Sequence, residues 1–303
     1  MIRCRFESVM LVVLLVACGC VGDAADSGGG DSSVTDAGDS LDTDSGDGND
    51  AGTTPLAFPD ETTTGWTPEG TSTMSGDLTL STPGATFEDI DLDGCLTITA
   101  ANVTVRNVRI RCSKADWAGI AVNGSATGIL IEDVEVDGEA VSLYGVRVER
   151  PSTLRRVEVH GARNGLYVNE TGVLIEDSYV YDLATCPATP ACGSDQPIEV
   201  TLDAADPGAV VLRHNHFVSA LNAGPAVALH SSDEDVTLET NLLDAGSYCL
   251  QFYDTNLTIS DNHFGSTMYD TCGKYGPVQT NDEASATWSG NVWHESGEEI
   301  PAP

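Results

Sequence analysis

Two carboxylates, Asp195 and Glu199, stand four residues apart where a Pro- and Gly-containing loop passes into an apolar segment. Paired carboxylates flanking a bond serve glycoside hydrolysis, at ~5 Å or ~6.5–9.5 Å according to stereochemistry. Arg147 and Tyr167 occupy matching places in neighbouring segments of similar pattern, and His230 lies two residues beyond the matching place in a later one. A carboxyl, an imidazole, a guanidinium and a phenol on one surface suit sugar binding and proton transfer. Asp195, Glu199, Arg147 and His230 are therefore the candidate catalytic residues. Tyr167, Gln251 and Tyr253 are candidate substrate contacts. No Gly-x-Ser-x-Gly elbow supports ester chemistry. No Cys-x-x-Cys pair or cluster of histidines supports zinc. His214, His216 and His263 read as turn or surface residues.

The segments that carry these residues repeat. No stretch sustains a helical period; short runs of Val, Ile and Leu alternate with Gly, Asn and Asp turns. A four-residue unit begins at Val105, Ile131, Leu154, Ile175, Leu212, Leu238, Ile259 and Trp288. Its fourth position reads Val108, Val134, Val157, Ser178, Asn215, Asn241, Asn262 and Asn291. Strand-only repeats of ~20–30 residues mean a coil that rises one rung per repeat. The expected fold is an all-β, right-handed parallel β-helix over residues 56–303. In such a coil matching positions stack, so the four Asn amides are expected to form a buried ladder. The longest interval holds a loop, 184–196, and loops inserted in one rung often lie on the binding face.

Alternation then assigns faces. Val146, Val148, Leu166, Val168, Ile198, Val200, Val227 and Leu229 should face inward. Arg147, Tyr167, Glu199, Ala228 and Gln251 form one outward row. Glu149, Asn169, Thr201, His230 and Tyr253 form a second. With rungs ~4.8 Å apart, Arg147, Tyr167, Glu199 and His230 share one elongated patch.

The ends of the chain read differently. Arg3 and Arg5 precede an apolar run, Val9 to Val16, too short to cross a bilayer. It ends in Leu15-Val16-Ala17-Cys18, which resembles the lipobox of bacterial lipoproteins. That resemblance implies a signal peptide over 1–17 and a lipid on Cys18. With Gly19 rather than Asp next, it also implies the outer membrane or cell surface, with the lipid as the sole membrane contact. Residues 18–55 are mostly Asp, Gly, Ser, Thr and Ala. Such a composition cannot bury enough apolar surface to order itself, so a disordered, extended tether is expected. The chain has 13 Lys and Arg against 47 Asp and Glu, a net charge of -34. That excludes nucleic acid as a partner, because phosphate contacts need basic side chains. Carboxylates are also the ligands Ca²⁺ prefers, but no EF-hand loop is present, and solubility accounts for most of them. In an exported chain the remaining cysteines should be oxidised. Their close spacing suggests Cys95 with Cys112, Cys186 with Cys192, and Cys249 with Cys272, among 15 connectivities six cysteines allow.

The stretches 96–111, 154–183 and 275–293, the last with Tyr-Gly-Pro-Val and Trp-Ser-Gly-Asn-Val-Trp, resemble right-handed parallel β-helix proteins of the pectate-lyase-like superfamily. His160 and Asn164, in Val159-His160-Gly161-Ala162-Arg163-Asn164-Gly165, match the group and join the candidate substrate contacts. Relatives carry His-x-Asp-Gly-Ile-Gln where this chain reads Gly193-Ser194-Asp195-Gln196-Pro197-Ile198-Glu199. Asp195 is kept; the His, the Gly and the Gln are not. The resemblance implies a cell-surface protein acting on polysaccharide, as a lyase or a glycoside hydrolase. A lyase of this kind would use Ca²⁺ and an Arg or Lys base, and Arg147 and Arg163 are the cations nearest the row. The alternative is a non-catalytic glycan-binding or adhesive lipoprotein. A monomer is expected.

Overall fold

In a computed structural model the described residues are 57–184, 196–202, 208–219, 224–231, 235–253 and 255–303, without the side chains of Leu202 and Ser231. Among them the chain is all β, and its strands pair in parallel from rung to rung; only two isolated bridges are antiparallel. A parallel β-helix is the result. One nine-stranded sheet takes one strand per rung, from Leu78–Leu80 to Val278–Gln279. We call it the platform. The second, 15-stranded sheet is bent. Its early strands run unbroken through the bend, as in Ile129–Asp137 and Ser152–His160. From Val173–Glu176 and Tyr179–Val180 onward each splits in two.

Stacking of equivalent side chains builds the core. Ile120, Val146, Leu166, Ile198, Val227 and Leu250 follow one another in register, all fully buried. Val122, Val148, Val168, Val200 and Leu229 make a second buried column beside them. Each such side chain contributes roughly 1.5–3 kcal/mol by leaving water. The platform strands enter past Gly119, Gly145 and Gly165. A Cβ there would come within 2.4, 2.2 and 2.4 Å of a Val methyl of the bent sheet. Glycine lets the two sheets close on each other at this corner.

The bend has its own chemistry. Asn107, Asp133, Arg156, Asp177, His214, Thr240, Asp261 and Gly290 all adopt positive φ, between 49° and 66°. Gly, Asn and Asp tolerate that region best. The residue after each is the fourth repeat position. Where it is Asn, it is fully buried. The Asn215 amide nitrogen donates to the Asn241 side-chain oxygen at 2.9 Å, Asn241 to Asn262 at 3.0 Å, and Asn262 to Asn291 at 3.0 Å. Each oxygen also accepts the backbone N–H of the preceding rung's Asn, at 2.9–3.0 Å. Ser178 extends the ladder: its N–H donates to Asn215, and its hydroxyl accepts from the N–H of Val157. The side chains thus take over hydrogen bonds that a continuous strand would supply.

Disulfides join Cys95 to Cys112 and Cys249 to Cys272, with Cα atoms 4.9 and 5.9 Å apart. Cys18, Cys186 and Cys192 lie outside the described residues, as do the signal and tether segments. At the last rung the Trp288 indole donates to the Ile300 carbonyl at 2.8 Å, and Ile300 is buried.

Residues 57–67 were expected to begin the coil. They instead lie lengthwise across the outer surface of the bent sheet, running against the direction of winding. Phe58 sits among His214, His263 and His294, with ring centroids 5.8, 5.0 and 5.6 Å away. His216 meets the Pro59 carbonyl, the Gly65 N–H donates to Arg156, and the Thr67 N–H donates to the Asn107 side chain. The first coil strand is Ser72–Ser75.

Two substitutions test the bend. Asn241→Val removes five hydrogen bonds and strands buried backbone groups at 1–3 kcal/mol each, so a loss of roughly 3–5 kcal/mol is expected in chemical unfolding. Thr240→Gly relieves a β-branched residue at φ 57° and should gain up to about 1 kcal/mol. An unchanged midpoint for the first, or a loss for the second, contradicts this account of the bend.

Candidate functional site

The outward side of the platform carries the predicted row in the predicted order. Ala121, Arg147, Tyr167, Glu199, Ala228, Gln251 and Gln279 are consecutive register partners. Thr201 and His230 are partners in the next outward column. From the strand of Tyr144 to that of Gln279 there are five rung steps, ~24 Å at ~4.8 Å each.

Contacts along the row are close. The Arg147 guanidinium donates to Glu149 at 2.6 Å and lies 5.8 Å from the Tyr167 ring centroid. Tyr167 packs on Tyr144 with centroids 5.1 Å apart. The Thr201 hydroxyl donates to Glu199 at 3.3 Å. Farther along, the Gln251 amide donates to Tyr253 at 2.9 Å and to Gln279 at 2.5 Å, while the His230 ring lies 6.1 Å from that of Tyr253. Burial, and then the charge of Glu199, push the Tyr144 and Tyr167 phenols above their ordinary pKa. Both phenols are neutral donors at physiological pH. Ala228 faces outward by register but is fully covered, so it offers no contact surface.

Beside the row runs a lip that alternation did not reveal. Trp117 is 51% exposed and Tyr275 62%. Tyr144 stands on the same edge, and Tyr248 lies 5.9 Å from Tyr275. Trp117, Tyr144 and Tyr275 precede a glycine or proline of the corner and Tyr248 precedes Cys249, outside the strict period of two. Their repeated place just before the corner was the available signal. The opposite lip is charged, with Glu149, Glu170, Asp282 and Glu283 among its described members.

Two predicted contacts are elsewhere. Asn164 is buried; its amide donates to the Leu143 carbonyl at 3.1 Å and its oxygen accepts the Gln196 N–H at 3.2 Å. That side chain holds the platform corner and is buried away from the outward row. His160 ends a strand of the bent sheet, away from the row. It meets Glu135 at 3.2 Å and packs on Tyr181, whose hydroxyl donates to Glu158 at 2.9 Å. Glu135 and Glu158 are direct register partners, and Gly65 of the lengthwise segment lies over Glu158. Burial opposes charge on the His160 ring, yet Glu135 and Asp137 hold its pKa above the usual value. Burial raises that of Glu158, and burial raises Tyr179 to about 12. This cluster clamps the segment 57–67. Asp195 lies outside the described residues, so its distance from Glu199 is not defined.

Among the described residues no group of three or more His, Cys, Asp or Glu converges as a metal site. No described helix is long and apolar enough to cross a membrane.

No family model matches the sequence, and no curated protein does. Similar solved structures include a mutant tailspike protein of E. coli bacteriophage HK620 in complex with a pentasaccharide. It shows 15% identity and a TM-score of 0.45, over 75% of this chain and 44% of that one. Another is the Dettilon tailspike protein gp208, at 14% identity and a TM-score of 0.36, over 75% and 59%. The chain spans about half the length of these proteins.

The lengthwise segment should respond to acid. Burial pushes the His216 imidazole down from 6.5 to about 4, so the folded ring stays neutral. Its contribution is complete above pH 6.5 and is lost as pH falls toward 4, where the released ring is protonated and the seated one is not. Protection of the Gly65 and Thr67 amides against hydrogen exchange, corrected for intrinsic rate, should fall about tenfold or more from pH 7 to 4.5. In His216→Gln that dependence should flatten. Equal pH dependence in both proteins rules out a seat on neutral His216.

Proposed function

We propose that the protein is a carbohydrate-binding β-helix that lays a polysaccharide along the platform, parallel to the coil axis. The observation that carries this reading is the outward row with its aromatic lip: Arg147, Tyr167 and Glu199 follow one another in register, and beyond the covered Ala228 the line continues in Gln251 and Gln279, over ~24 Å in all. Sugars present apolar C–H faces and a rim of hydroxyls. Tyr144, Tyr167, Trp117 and Tyr275 offer faces for the first; Arg147, Glu199, Gln251 and Gln279 offer partners for the second. Elongation along the axis suits a polymer.

The N-terminal reading places this platform outside the cell. A signal peptide over 1–17 and a lipid on Cys18 would anchor a monomer at the outer membrane or cell surface, with residues 18–55 as tether. The fold and the motifs quoted above support membership of the pectate-lyase-like superfamily.

Hydrolysis is the second reading, and Glu199 favours it. Its carboxylate stands in the middle of the row beside Thr201 and Tyr167. A hydrolase would pair it with Asp195, one as acid and the other as base or nucleophile. The same platform serves either a binder or a hydrolase.

A panel of soluble polysaccharides in affinity electrophoresis tests this. At least one should retard the protein, and Tyr167→Ala should weaken that retardation about tenfold, as loss of a central aromatic anchor does. The melting temperature should hold, because Tyr167 faces outward. Reducing ends that appear with wild type and vanish in Glu199→Gln and Asp195→Asn would mark a hydrolase; retardation without products marks a binder. A panel with no retardation, or full binding by Tyr167→Ala, would end the platform reading.

A further inference from the structure

We infer that the platform selects glycans without carboxylate groups and rejects polyuronates. This rests on the platform being the glycan site. The charge arrangement supports it from four sides.

First, the row's one guanidinium is committed. Arg147 holds Glu149 at 2.6 Å and leans on the Tyr167 ring. A uronate carboxylate would have to displace a carboxylate already in place. Second, Glu199 stands two rungs from Arg147 in the same column and adds a second negative charge. Third, the lip that follows the platform strands is acidic. Arg150 there is paired with Glu170 at 3.3 Å, while Asp282 and Glu283 stand at its far end. Fourth, one of the two lysines at the aromatic lip is neutralised by a carboxylate. Lys114 is ion-paired with Asp77 and lies over Trp117; Lys274 lies over Tyr275, 5.2 Å from its centroid.

A polyuronate carries one negative charge per sugar. Laid along this row, the charges near Arg147 and Glu199 meet the fixed carboxylates of Glu149 and Glu199, and the molecule's net charge of -34 repels the polymer at longer range. A neutral glycan pays none of this. It still finds the aromatic faces, the Gln251–Gln279 amides and the phenol hydroxyls. One chemical consequence follows. β-Elimination requires a carboxyl group beside the carbon that loses its proton, so a platform that rejects uronates cannot be a uronate lyase. Hydrolysis or binding of a neutral glycan remains.

Affinity electrophoresis with two sets of polymers at about 10 mM salt tests the inference. One set is neutral: glucans, galactomannan, xyloglucan and soluble chitin oligosaccharides. The other is acidic: polygalacturonate and alginate. The expected result is retardation by a neutral member, with acidic members at least tenfold weaker. The double variant Glu149→Gln/Glu199→Gln frees Arg147 and removes two negative charges. It should gain about fivefold or more for polygalacturonate, and the gain should vanish at about 0.5 M salt. Wild type retarded by an acidic polymer as strongly as by any neutral one would overturn the selectivity and leave the platform standing as a glycan site. No gain in the double variant, its fold confirmed by melting, would do the same. No retardation by either set would remove the platform itself.

Discussion

Register is the constraint on which everything else in this molecule depends. A coil of parallel strands has a functional surface only if residue n of one rung lies over its counterpart in the next. A slip of one residue would turn every outward side chain inward. The aliphatic columns supply the cohesion, but Val on Val tolerates small sliding. The buried bend does not. There an Asn side chain takes the N–H of its predecessor, gives its own N–H₂ to backbone carbonyls, and does so at one position per rung. Such a group is satisfied in one register only, and any other leaves polar atoms buried without partners. The ladder begins with Ser178 and Asn215, close to where the bent strands split. Upstream the unbroken strands supply the same hydrogen bonds from the backbone, and Val suffices at that position.

Once register is held, the platform is a consequence of arithmetic. A single outward position repeated along the coil becomes a line of side chains ~4.8 Å apart. Changing one residue in one rung changes one point on that line without disturbing its neighbours. The line here runs from guanidinium to phenol to carboxylate, then to paired amides. Two edges border it with opposite character, aromatic before the strands and acidic after them. The residues after the strands enter polar turns.

Much of this was legible in the sequence because the repeat carries it. The spacing of Asn215, Asn241, Asn262 and Asn291 announced the ladder. Strict alternation in Val146 to Val148, Leu166 to Val168 and Ile198 to Val200 assigned the row. What escaped was whatever the repeat does not encode. His160 belongs to a rung with more than one outward face, and a period says only that a residue points out, not which face it joins. Asn164 shares the parity of the inward Leu166 and Val168; the resemblance made it a contact, but the backbone of the platform corner uses its amide and its oxygen. Trp117, Tyr144, Tyr248 and Tyr275 stand at irregular steps from the strands. The segment 57–67 has no counterpart in any other rung, and its partners are scattered along the chain from Asn107 to His294.

The two polar faces of the coil show why one of them is the better candidate for recognition. Both carry aromatic, acidic and basic groups, and composition alone would not separate them. On the bent sheet those groups are spent: Glu135 on His160 and Arg109, Glu158 on Tyr181, His216 on the Pro59 carbonyl, with Gly65 pressed over the top. Their partners come from the chain itself, and seating 57–67 offsets the cost of desolvating them. The platform has no such cover among the described residues. Its Tyr144 and Tyr167 phenols stay neutral, and Trp117 and Tyr275 at its edge remain exposed. A surface that holds large aromatics in solvent, in a line, with hydrogen-bonding groups between them, has left its burial to be completed by something else. The linear spacing of those groups makes an extended polymer the partner that completes it.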